Sequence, residues 1–277
     1  MIRQKPMICG GETQVFKQSF SQACYALQED GSWKEEEATL SKGRMWYGSG
    51  SVVVNDELVI ARGLGLDGMS TSIEVVGGRK TKARTLEDIE LPHETHASCI
   101  VPWDADTFLV IGGNPDANGM TKYSQKGTYF VNIKDKTVIN GPDLKDARFR
   151  HACSEMIING EEFIVVTGGH GIYKSTQMST EFLSKKNFEN DGWQQRPFTG
   201  LPVPMLDHQM VSSPDKKSVY TIGNEHSQYD KDIYRYSCPT KDIRQCQWNK
   251  IETKLKYGRE RLVAFGIPKS LSQRICE

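Results

Sequence analysis

Short apolar runs that end in glycine recur along this chain at a nearly constant spacing. Their final glycines are separated by 52, 50, 56 and 54 residues. A repeat of about 50 residues indicates one supersecondary unit that is copied along the chain. The five runs are Met7 to Gly11, Leu58 to Gly63, Phe108 to Gly113, Phe163 to Gly169 and Val219 to Gly223.

Other features keep the same phase as these runs. A β-rich segment and a turn signal precede each of the last four runs; the signals are Asn55-Asp56, Asp104-Ala105-Asp106, Asn159-Gly160 and Pro214-Asp215. A polar loop and a third strand follow, at 72–76, 127–133, 178–183 and 232–236. A further turn leads to a fourth strand, which opens with tryptophan at Trp33, Trp193 and Trp248. The pattern therefore predicts five units, each a meander of four antiparallel strands.

Packing decides how such units are arranged. A lone four-stranded sheet leaves both faces partly wet, whereas sheets stacked radially in a ring bury those faces and protect the edges. The glycine pairs permit positive φ and close backbone approach, and the tryptophans supply apolar surface between sheets. We therefore predict an all-β propeller in one domain that spans 1–277.

The residues resemble the kelch-repeat family. The resemblance rests on the glycine pair after an apolar strand, the tryptophan about 22 to 25 residues later, and the segment Ala147-Arg-Phe-Arg-His151 before the next strand. It covers nearly the whole chain, although the second unit has Arg62-Gly63 and the second and third units lack the tryptophan. The resemblance implies a kelch-type propeller that serves as a binding scaffold.

Ring closure has two interpretations. Residues 259–268 have the character of a first strand with no second strand after it, and the first unit begins at its second strand. The economical interpretation is a five-bladed ring, whose first blade is completed by the C-terminal strand. The alternative is a six-bladed ring with one blade missing, because the first unit resembles the second blade of six-bladed animal relatives.

Composition excludes several classes of function. The 35 Lys and Arg residues balance 35 Asp and Glu residues without a long block of one sign, which argues against nucleic acid or anionic lipid as a partner. The longest apolar runs are strand-sized, so we expect a soluble monomer without membrane insertion. The N-terminal residues show no apolar segment typical of a secretory signal, which a processed chain would also lack.

The seven cysteines bear on the compartment. Cys238 ends a third strand and Cys246 begins the fourth, close enough in antiparallel geometry for a disulfide. Cys9 and Cys24 flank a loop in the same way, and Cys276 stays unassigned. These positions resemble those of secreted kelch proteins of invertebrate animals. The sequence thus favours an extracellular protein, with reduced thiols in a cytosolic propeller as the alternative.

Three motifs imitate cofactor or metal sites. Gly63-Leu-Gly-Leu-Asp-Gly68 matches the dinucleotide fingerprint, but a strand follows it where a helix is required. Asn114-Pro-Asp-Ala-Asn-Gly119 lacks the closing glutamate of a calcium loop. On an extended strand, the spacing of His93 and His96 sends their side chains to opposite faces. We therefore predict no cofactor and no metal ligand.

Two sets of residues fit structural roles in the repeat. His96, His151 and His208 recur about 55 residues apart, which marks a packing position. Cys99 and Cys153 occupy equivalent places in two first strands, just after His96 and His151, and are expected to be core thiols.

Loops between second and third strands and between fourth and first strands lie on one rim of a propeller, where ligands bind. Arginines and aromatic residues on that rim predict a protein or peptide ligand with an acidic segment. The candidates are Arg44, Trp46, Tyr47, Arg148, Arg150, Asp207, Arg259 and Arg261. The structural alternative is that Arg148 and Arg259 pin neighbouring blades.

No nucleophile elbow, carboxylate pair or phosphate loop is visible in the sequence. We therefore expect a binding protein without catalytic activity. The second hypothesis is an intracellular kelch adaptor, which recognises substrates for ubiquitin ligases or binds actin. The third hypothesis is a propeller enzyme, such as a sugar epimerase or an oxidase.

Overall fold

The chain forms five antiparallel sheets arranged as the blades of a β-propeller. The structure is a computed structural model, and it describes residues 6–14, 19–45, 50–61, 63–66, 68–69, 72–77, 83–92, 96–115, 124–196, 199–226, 230–240, 242–259 and 264. Helix is confined in these ranges to Phe188–Asp191 and to two short 3-10 segments, Ile172–Lys174 and Ile243–Gln245. The predicted all-β class is confirmed.

Blades 2 to 5 each contain four strands, paired in chain order from the innermost first strand to the outermost fourth strand. The strands of blade 2 are Ser51–Val54, Glu57–Ala61, Ile73–Gly77 and Arg84–Thr85. Those of blade 3 are Cys99–Pro102, Thr107–Ile111, Thr128–Asn132 and Thr137–Asn140. Those of blade 4 are Ala152–Ile158, Glu161–Thr167, Thr180–Ser184 and Gln194–Gln195. Those of blade 5 are Gln209–Ser212, Ser218–Ile222, Ile233–Ser237 and Gln247–Lys250.

Blade 1 contains three described strands, Met7–Cys9, Ala23–Leu27 and Trp33–Thr39, which correspond to the second, third and fourth strands of the other blades. A small hairpin of Glu12–Gln14 and Ser19–Phe20 extends from it, and a second hairpin of Leu64–Gly65 and Gly68–Met69 extends from blade 2. The C-terminal strand predicted to complete blade 1 lies outside the described residues, apart from Arg259 and Ala264.

Turn residues determine where the hairpins begin and end. Asn55 and Asp56 both have positive φ, at 49° and 58°, as do Asn159 and Gly160 at 54° and 84°. Positive φ at both central residues defines the type I′ turn, whose twist matches that of the flanking strands. The predicted turns between first and second strands are therefore confirmed in blades 2 and 4.

Among the described residues, four apolar clusters form the core, and each joins two blades that are consecutive along the chain. Blades 1 and 2 meet through Cys24 and Ile60, and blades 2 and 3 through Ile73 and Phe108. Blades 3 and 4 meet around Trp193, and blades 4 and 5 around Phe182, Tyr236 and Trp248. Because successive side chains on a strand point to opposite faces, each blade supplies one set to the preceding blade and one to the following blade.

The glycine pairs allow consecutive blades to approach closely. Gly168 has φ 67°, and a Cβ atom there would lie 2.6 Å from Cε1 of His208. Gly112 is equivalent in blade 3, with φ 57° and Cε1 of His151 3.0 Å from a Cβ position. His151 and His208 therefore pack on the glycine pair of the preceding blade, which is the structural role predicted for them.

His96 does not share this position. It forms a bridge with Asn114, whereas the equivalent bridge in blade 4 joins Phe149 to His170. His96 therefore corresponds to Phe149, and Ser98 to His151. The predicted equivalence of the three histidines was wrong by two residues, because hydrogen-bond pairing between strands sets the register and the spacing along the chain does not.

Candidate ligand-binding face

In a four-stranded meander, the connections between second and third strands and between fourth and first strands lie at the same end of every blade. We call this end of the propeller the loop face. It carries the predicted candidates Arg44, Arg148, Arg150, Asp207 and Arg259, whereas Trp46, Tyr47 and Arg261 lie outside the described residues.

Two of the candidate arginines are buried in ion pairs beneath this face. Nη2 of Arg148 lies 2.6 Å from Oε1 of Glu181, and both side chains are fully buried. Nη1 of Arg148 also donates to the carbonyl oxygen of Gly168 at 3.0 Å. Arg44 pairs in the same way with buried Glu74. These arginines anchor the connection before a blade to the third strand of that blade and have almost no surface for a ligand.

The ion pairs follow a rule of the repeat. Backbone hydrogen bonds from the preceding blade place Arg44, Arg148, Met205 and Arg259 at one equivalent position, with donors Gly11, Gly113, Gly169 and Asn224. The third-strand position opposite it holds Glu74, Glu181 and Tyr234 in blades 2, 4 and 5. At these facing positions, arginine therefore stands opposite glutamate in blades 2 and 4, and Met205 stands opposite Tyr234 in blade 5.

Arg150 lies nearer the solvent and joins two loops of the face. Its Nη1 donates to Oε2 of Glu225 at 2.7 Å, and its Nη2 lies 3.2 Å from Oδ2 of Asp207. The side chains of Arg150 and Glu225 are 22% and 34% exposed. The backbone N–H of Asp207 also donates to the carbonyl oxygen of Arg150, so the connections before blades 4 and 5 form one polar network.

Arg259 is exposed at the edge of the same face. Its guanidinium lies 5.6 Å from the ring centroid of Tyr257, and it forms no ion pair with any described carboxylate. The structure therefore brings Arg150 and Asp207 together in one network, whereas the guanidinium of Arg259 lies near the ring of Tyr257. Glu225 completes the network but was not singled out in the sequence, since nothing in its local pattern shows that it contacts a residue 75 positions away.

The loop face also carries exposed apolar side chains. Those in connections between second and third strands, or after the fourth strand of blade 5, are Leu66, Ile172, Tyr173, Met178 and Tyr257. Tyr173 has φ 56°, which is strained for a residue with a side chain. Sequence reasoning missed these residues, because isolated apolar residues in polar loops carry no periodic signal.

The two repeat histidines lie beneath this face. Burial, followed by the positive charge of Arg148, lowers the pKa of His208 to about 3. Burial also lowers the pKa of His151 well below its usual value, with smaller effects from Arg148 and His208. Neither ring nitrogen of His208 has a hydrogen-bond partner among the described residues. A neutral imidazole in this position fills space between blades.

The depressed pKa of His208 predicts a loss of stability in mild acid. The unfolded chain binds a proton near pH 6.5 and the folded chain does not, so the contribution of His208 is complete above that pH and falls as the pH approaches 3. Between pH 7 and 5 the loss is about 2 kcal/mol. From pH 7 to pH 5, the free energy of unfolding measured in urea should therefore fall by about 2 kcal/mol less for His208→Gln than for the wild type. An identical pH dependence in the two proteins would contradict the prediction.

A cavity of about 350 Å³ lies inside the ring, lined by the first strands of blades 2 to 5. Val52, Ile100 and Met210 supply apolar wall. The hydroxyl oxygens of Ser154 and Ser212 lie 2.7 Å apart across neighbouring blades, and Ser212 also donates to the carbonyl oxygen of Glu155. These hydroxyl groups hold adjacent first strands together.

The six cysteines that the structure describes form three disulfides. The predicted pairs Cys9–Cys24 and Cys238–Cys246 are confirmed, each with Cα atoms 4.0 Å apart. Cys276 lies outside the described residues. The prediction of core thiols at Cys99 and Cys153 was wrong, since these two form a third disulfide with Cα atoms 6.0 Å apart.

Strand register explains the third disulfide. Cys99 pairs with Ile111 at the end of its hairpin, but the equivalent residue of blade 4 is Ala152, which pairs with Thr167. Cys153 is therefore one position further along its strand. Because side chains alternate, Cys99 points toward blade 4 and Cys153 points toward blade 3. The bond joins the two blades through their shared apolar cluster.

The motif that imitates a dinucleotide fingerprint forms part of a hairpin in the structure. Gly63-Leu-Gly-Leu-Asp-Gly68 supplies the first strand of the hairpin on blade 2, Leu64–Gly65, and the first residue of the second strand, Gly68–Met69. Asp116, Asn118 and His93 lie outside the described residues. Within the described ranges, no three His, Cys, Asp or Glu side chains are grouped so that they could hold a metal ion. No helix in those ranges is long and apolar enough to cross a membrane.

No protein-family model matches this sequence, and no curated protein matches it. A comparison of folds finds similarity to a solved structure titled "Structure of YjhT", with a TM-score of 0.67. The alignment covers 91% of this chain and 82% of that chain at 11% sequence identity. At this identity the likeness shows the shared β-propeller fold and nothing further about function.

Proposed function

We propose that this chain is an extracellular kelch-type propeller without catalytic activity, whose loop face binds a protein or peptide ligand. The observation that carries the proposal is the concentration of exposed apolar side chains on the loops of that face. Tyr173, Ile172 and Met178 belong to a single connection of blade 4. Exposed aromatic and apolar side chains on rigidly supported loops are typical of protein-binding surfaces.

Charge defines the second part of the proposed ligand. Arg150 is held by Asp207 and Glu225, and Glu225 is the more exposed of the two carboxylates. A carboxylate of the ligand can take the place of Glu225 and accept the same forked hydrogen bonds. Arg259 offers a second cation on the same face. The ligand is therefore a segment that combines an acidic residue with apolar side chains.

The burial of His151 and His208 supports a role without catalysis. A general acid or base must reach its substrate and titrate near the working pH. His208 is buried and has a pKa of about 3, so it meets neither condition. Arg44 and Arg148 are equally withdrawn from the surface.

Three disulfides support an extracellular setting, because such bonds persist in oxidising compartments and are rare in the cytosol. The intracellular adaptor remains the second candidate. It requires these six cysteines to be reduced, so mass spectrometry of the native protein with and without reduction distinguishes the two candidates.

A random peptide library displayed on phage tests the proposed face. Peptides selected on the wild-type protein should bind the variant Ile172→Ser/Tyr173→Ser/Met178→Ser at least about 10-fold more weakly, because hot-spot side chains dominate such contacts. The selected peptides should also be enriched in Asp or Glu, and Arg150→Ala should weaken them further.

Ile139→Ser is the matched control. Ile139 is exposed on the outermost strand of blade 3, away from the loop face, so its replacement removes apolar surface elsewhere. Peptides should bind this variant like the wild type. If the loop variant keeps wild-type affinity, or if Ile139→Ser loses as much, the ligand does not bind at the loop face.

A further inference from the structure

The backbone of Tyr173 adopts a conformation that its side chain disfavours. Its φ and ψ angles are 56° and 37°, within the left-handed region. There the Cβ atom of an L-residue crowds the following carbonyl oxygen, so the region favours glycine, asparagine and aspartate. Nine described residues other than glycine have positive φ, and Tyr173 is the aromatic one among them. Its conformation is therefore strained.

The loop that carries this tyrosine joins the second and third strands of blade 4, and its own hydrogen bonds determine its path. A bridge between His170 and Thr176 closes the two ends. The N–H of Gly171 donates to the carbonyl oxygen of Ser175 at 2.7 Å. The hydroxyl group of Ser175 donates to the carbonyl oxygen of Ile172 at 2.9 Å. The loop is therefore a closed turn with the tyrosine at its centre.

The ring of Tyr173 makes no contact that would offset the strain. It is 77% exposed, and within the described ranges no hydrogen bond, ion pair or ring contact joins it to another side chain. A different pair of rings attaches the loop to the blade, since Phe149 is 3% exposed and lies 5.4 Å from His170 between centroids. An aromatic side chain that is strained, exposed and unused by the fold indicates a function for that side chain.

The surroundings of the tyrosine are apolar on one side and basic on the other. Ile172 and Met178 of the same connection are 45% and 40% exposed. The N–H groups of Phe149 and His170 each donate to the carbonyl oxygen of the other residue at 2.9 Å, which places the loop beside the connection before blade 4. Arg150 follows in that connection, and its side chain is 22% exposed. A projecting aromatic ring and a cation therefore share this part of the loop face.

We propose that Tyr173 is the anchor by which the loop face binds a folded partner protein, with its ring in an apolar pocket of the partner and a carboxylate beside that pocket on Arg150. The inference rests on the proposed function and specifies the kind of ligand. A ring that projects from a closed turn is enclosed by a concave surface, whereas an extended peptide covers one side of it. Because the free protein already holds the ring in place, binding orders little that was mobile.

Melting temperatures of glycine and alanine variants test the strain without any ligand. Tyr173→Gly should melt about 2 °C above Tyr173→Ala, because alanine keeps the crowded Cβ atom and glycine removes it. Tyr173→Ala should melt within about 1 °C of the wild type, since the ring makes no stabilising contact.

Met178 is the matched control, because it is exposed in the same connection and does not have positive φ. There the order should reverse, and Met178→Gly should melt about 2 °C below Met178→Ala, since glycine gives the unfolded chain more freedom. If Tyr173→Gly also melts below Tyr173→Ala, the tyrosine is not strained and the inference is wrong.

Two display libraries, selected on the same full chain, test the kind of partner. One is the linear peptide library on phage, and the other displays designed repeat proteins with a concave apolar surface. Tyr173→Asn removes the ring and supplies a residue suited to the left-handed region, so it should weaken the selected repeat proteins by about 30-fold. The selected linear peptides should lose less than about 5-fold. Ile139→Ser should leave both kinds of binder unchanged.

The outcomes separate this inference from the proposed function. If the peptides lose as much as the repeat proteins, or if repeat proteins that depend on Arg150 keep their affinity for Tyr173→Asn, the loop face binds a ligand but not through an enclosed ring. The proposed function then stands and the inference is wrong. If binders of neither kind depend on any residue of the loop face, the proposed function is itself wrong, and the inference is wrong with it.

Discussion

Replacing Arg148 by alanine is expected to lower the free energy of unfolding by about 3–5 kcal/mol. The mutation leaves the carboxylate of Glu181 fully buried without its cationic partner, with only the backbone N–H groups of Lys145 and Asp146 as donors. A buried charge that has lost its counterion is among the most destabilising changes in a folded protein. It also removes the hydrogen bond to the carbonyl oxygen of Gly168, a residue that lies close to His208 and Met205. Urea denaturation followed by circular dichroism measures the effect.

A double replacement separates the cost of a broken pair from the value of an intact one. Arg148→Met/Glu181→Gln removes both charges and keeps the volume and an oxygen acceptor for the backbone N–H groups of Lys145 and Asp146, so it should be much less destabilising than Arg148→Ala. Arg244→Ala removes a guanidinium that pairs with Asp242 at the surface, and should leave the denaturation midpoint unchanged. If Arg148→Ala resembles Arg244→Ala, the pair does not anchor the blade.

Removing the Cys99–Cys153 disulfide should have the second large effect. The bond closes a loop with a sequence separation of 54, and the loop-entropy relation assigns it about 4 kcal/mol, against about 2.5 kcal/mol for Cys238–Cys246 with a separation of 8. The double variant Cys99→Ala/Cys153→Ala should therefore be less stable than Cys238→Ala/Cys246→Ala. Chemical denaturation of both variants without reductant measures the difference.

Mass spectrometry of the native protein, with and without reduction, supplies the companion measurement. Disulfides at Cys9–Cys24, Cys99–Cys153 and Cys238–Cys246 would support the extracellular proposal. Free thiols at all six positions would contradict it, and would place the intracellular adaptor first. Equal stability of the two cysteine variants would contradict the prediction, because it would show that Cys99–Cys153 does not restrict the unfolded chain more than Cys238–Cys246 does.

The strands were predicted closely because their signals are local. Third strands expected at 178–183 and 232–236 were found at Thr180–Ser184 and Ile233–Ser237. Alternation of apolar residues and the turn signals on either side determine that a strand forms there. The end residue depends on the hydrogen-bond ladder with the neighbouring strand, which is why the bounds moved by one or two residues.

The candidate site was predicted less well, and for a physical reason. Arg148 and Arg150 are two residues apart, yet one is buried against Glu181 and the other is partly exposed beside Glu225. Their partners are 33 and 75 positions away along the chain. Sequence pattern identified the connection that carries both arginines, but it could not show which of them reaches the surface.

The sequence by itself determined the repeat, the five visible units, the turns within them and two disulfides, since each of these depends on residues within one unit. Only the tertiary structure decided how units face one another. A one-residue offset brought Cys99 and Cys153 together, and a two-residue offset separated His96 from His151 and His208. The tertiary structure also decided that Trp33 is exposed whereas Trp193 and Trp248 are buried. Contacts between sheets depend on strand register and on the neighbouring sheet, and the sequence of a single unit encodes neither.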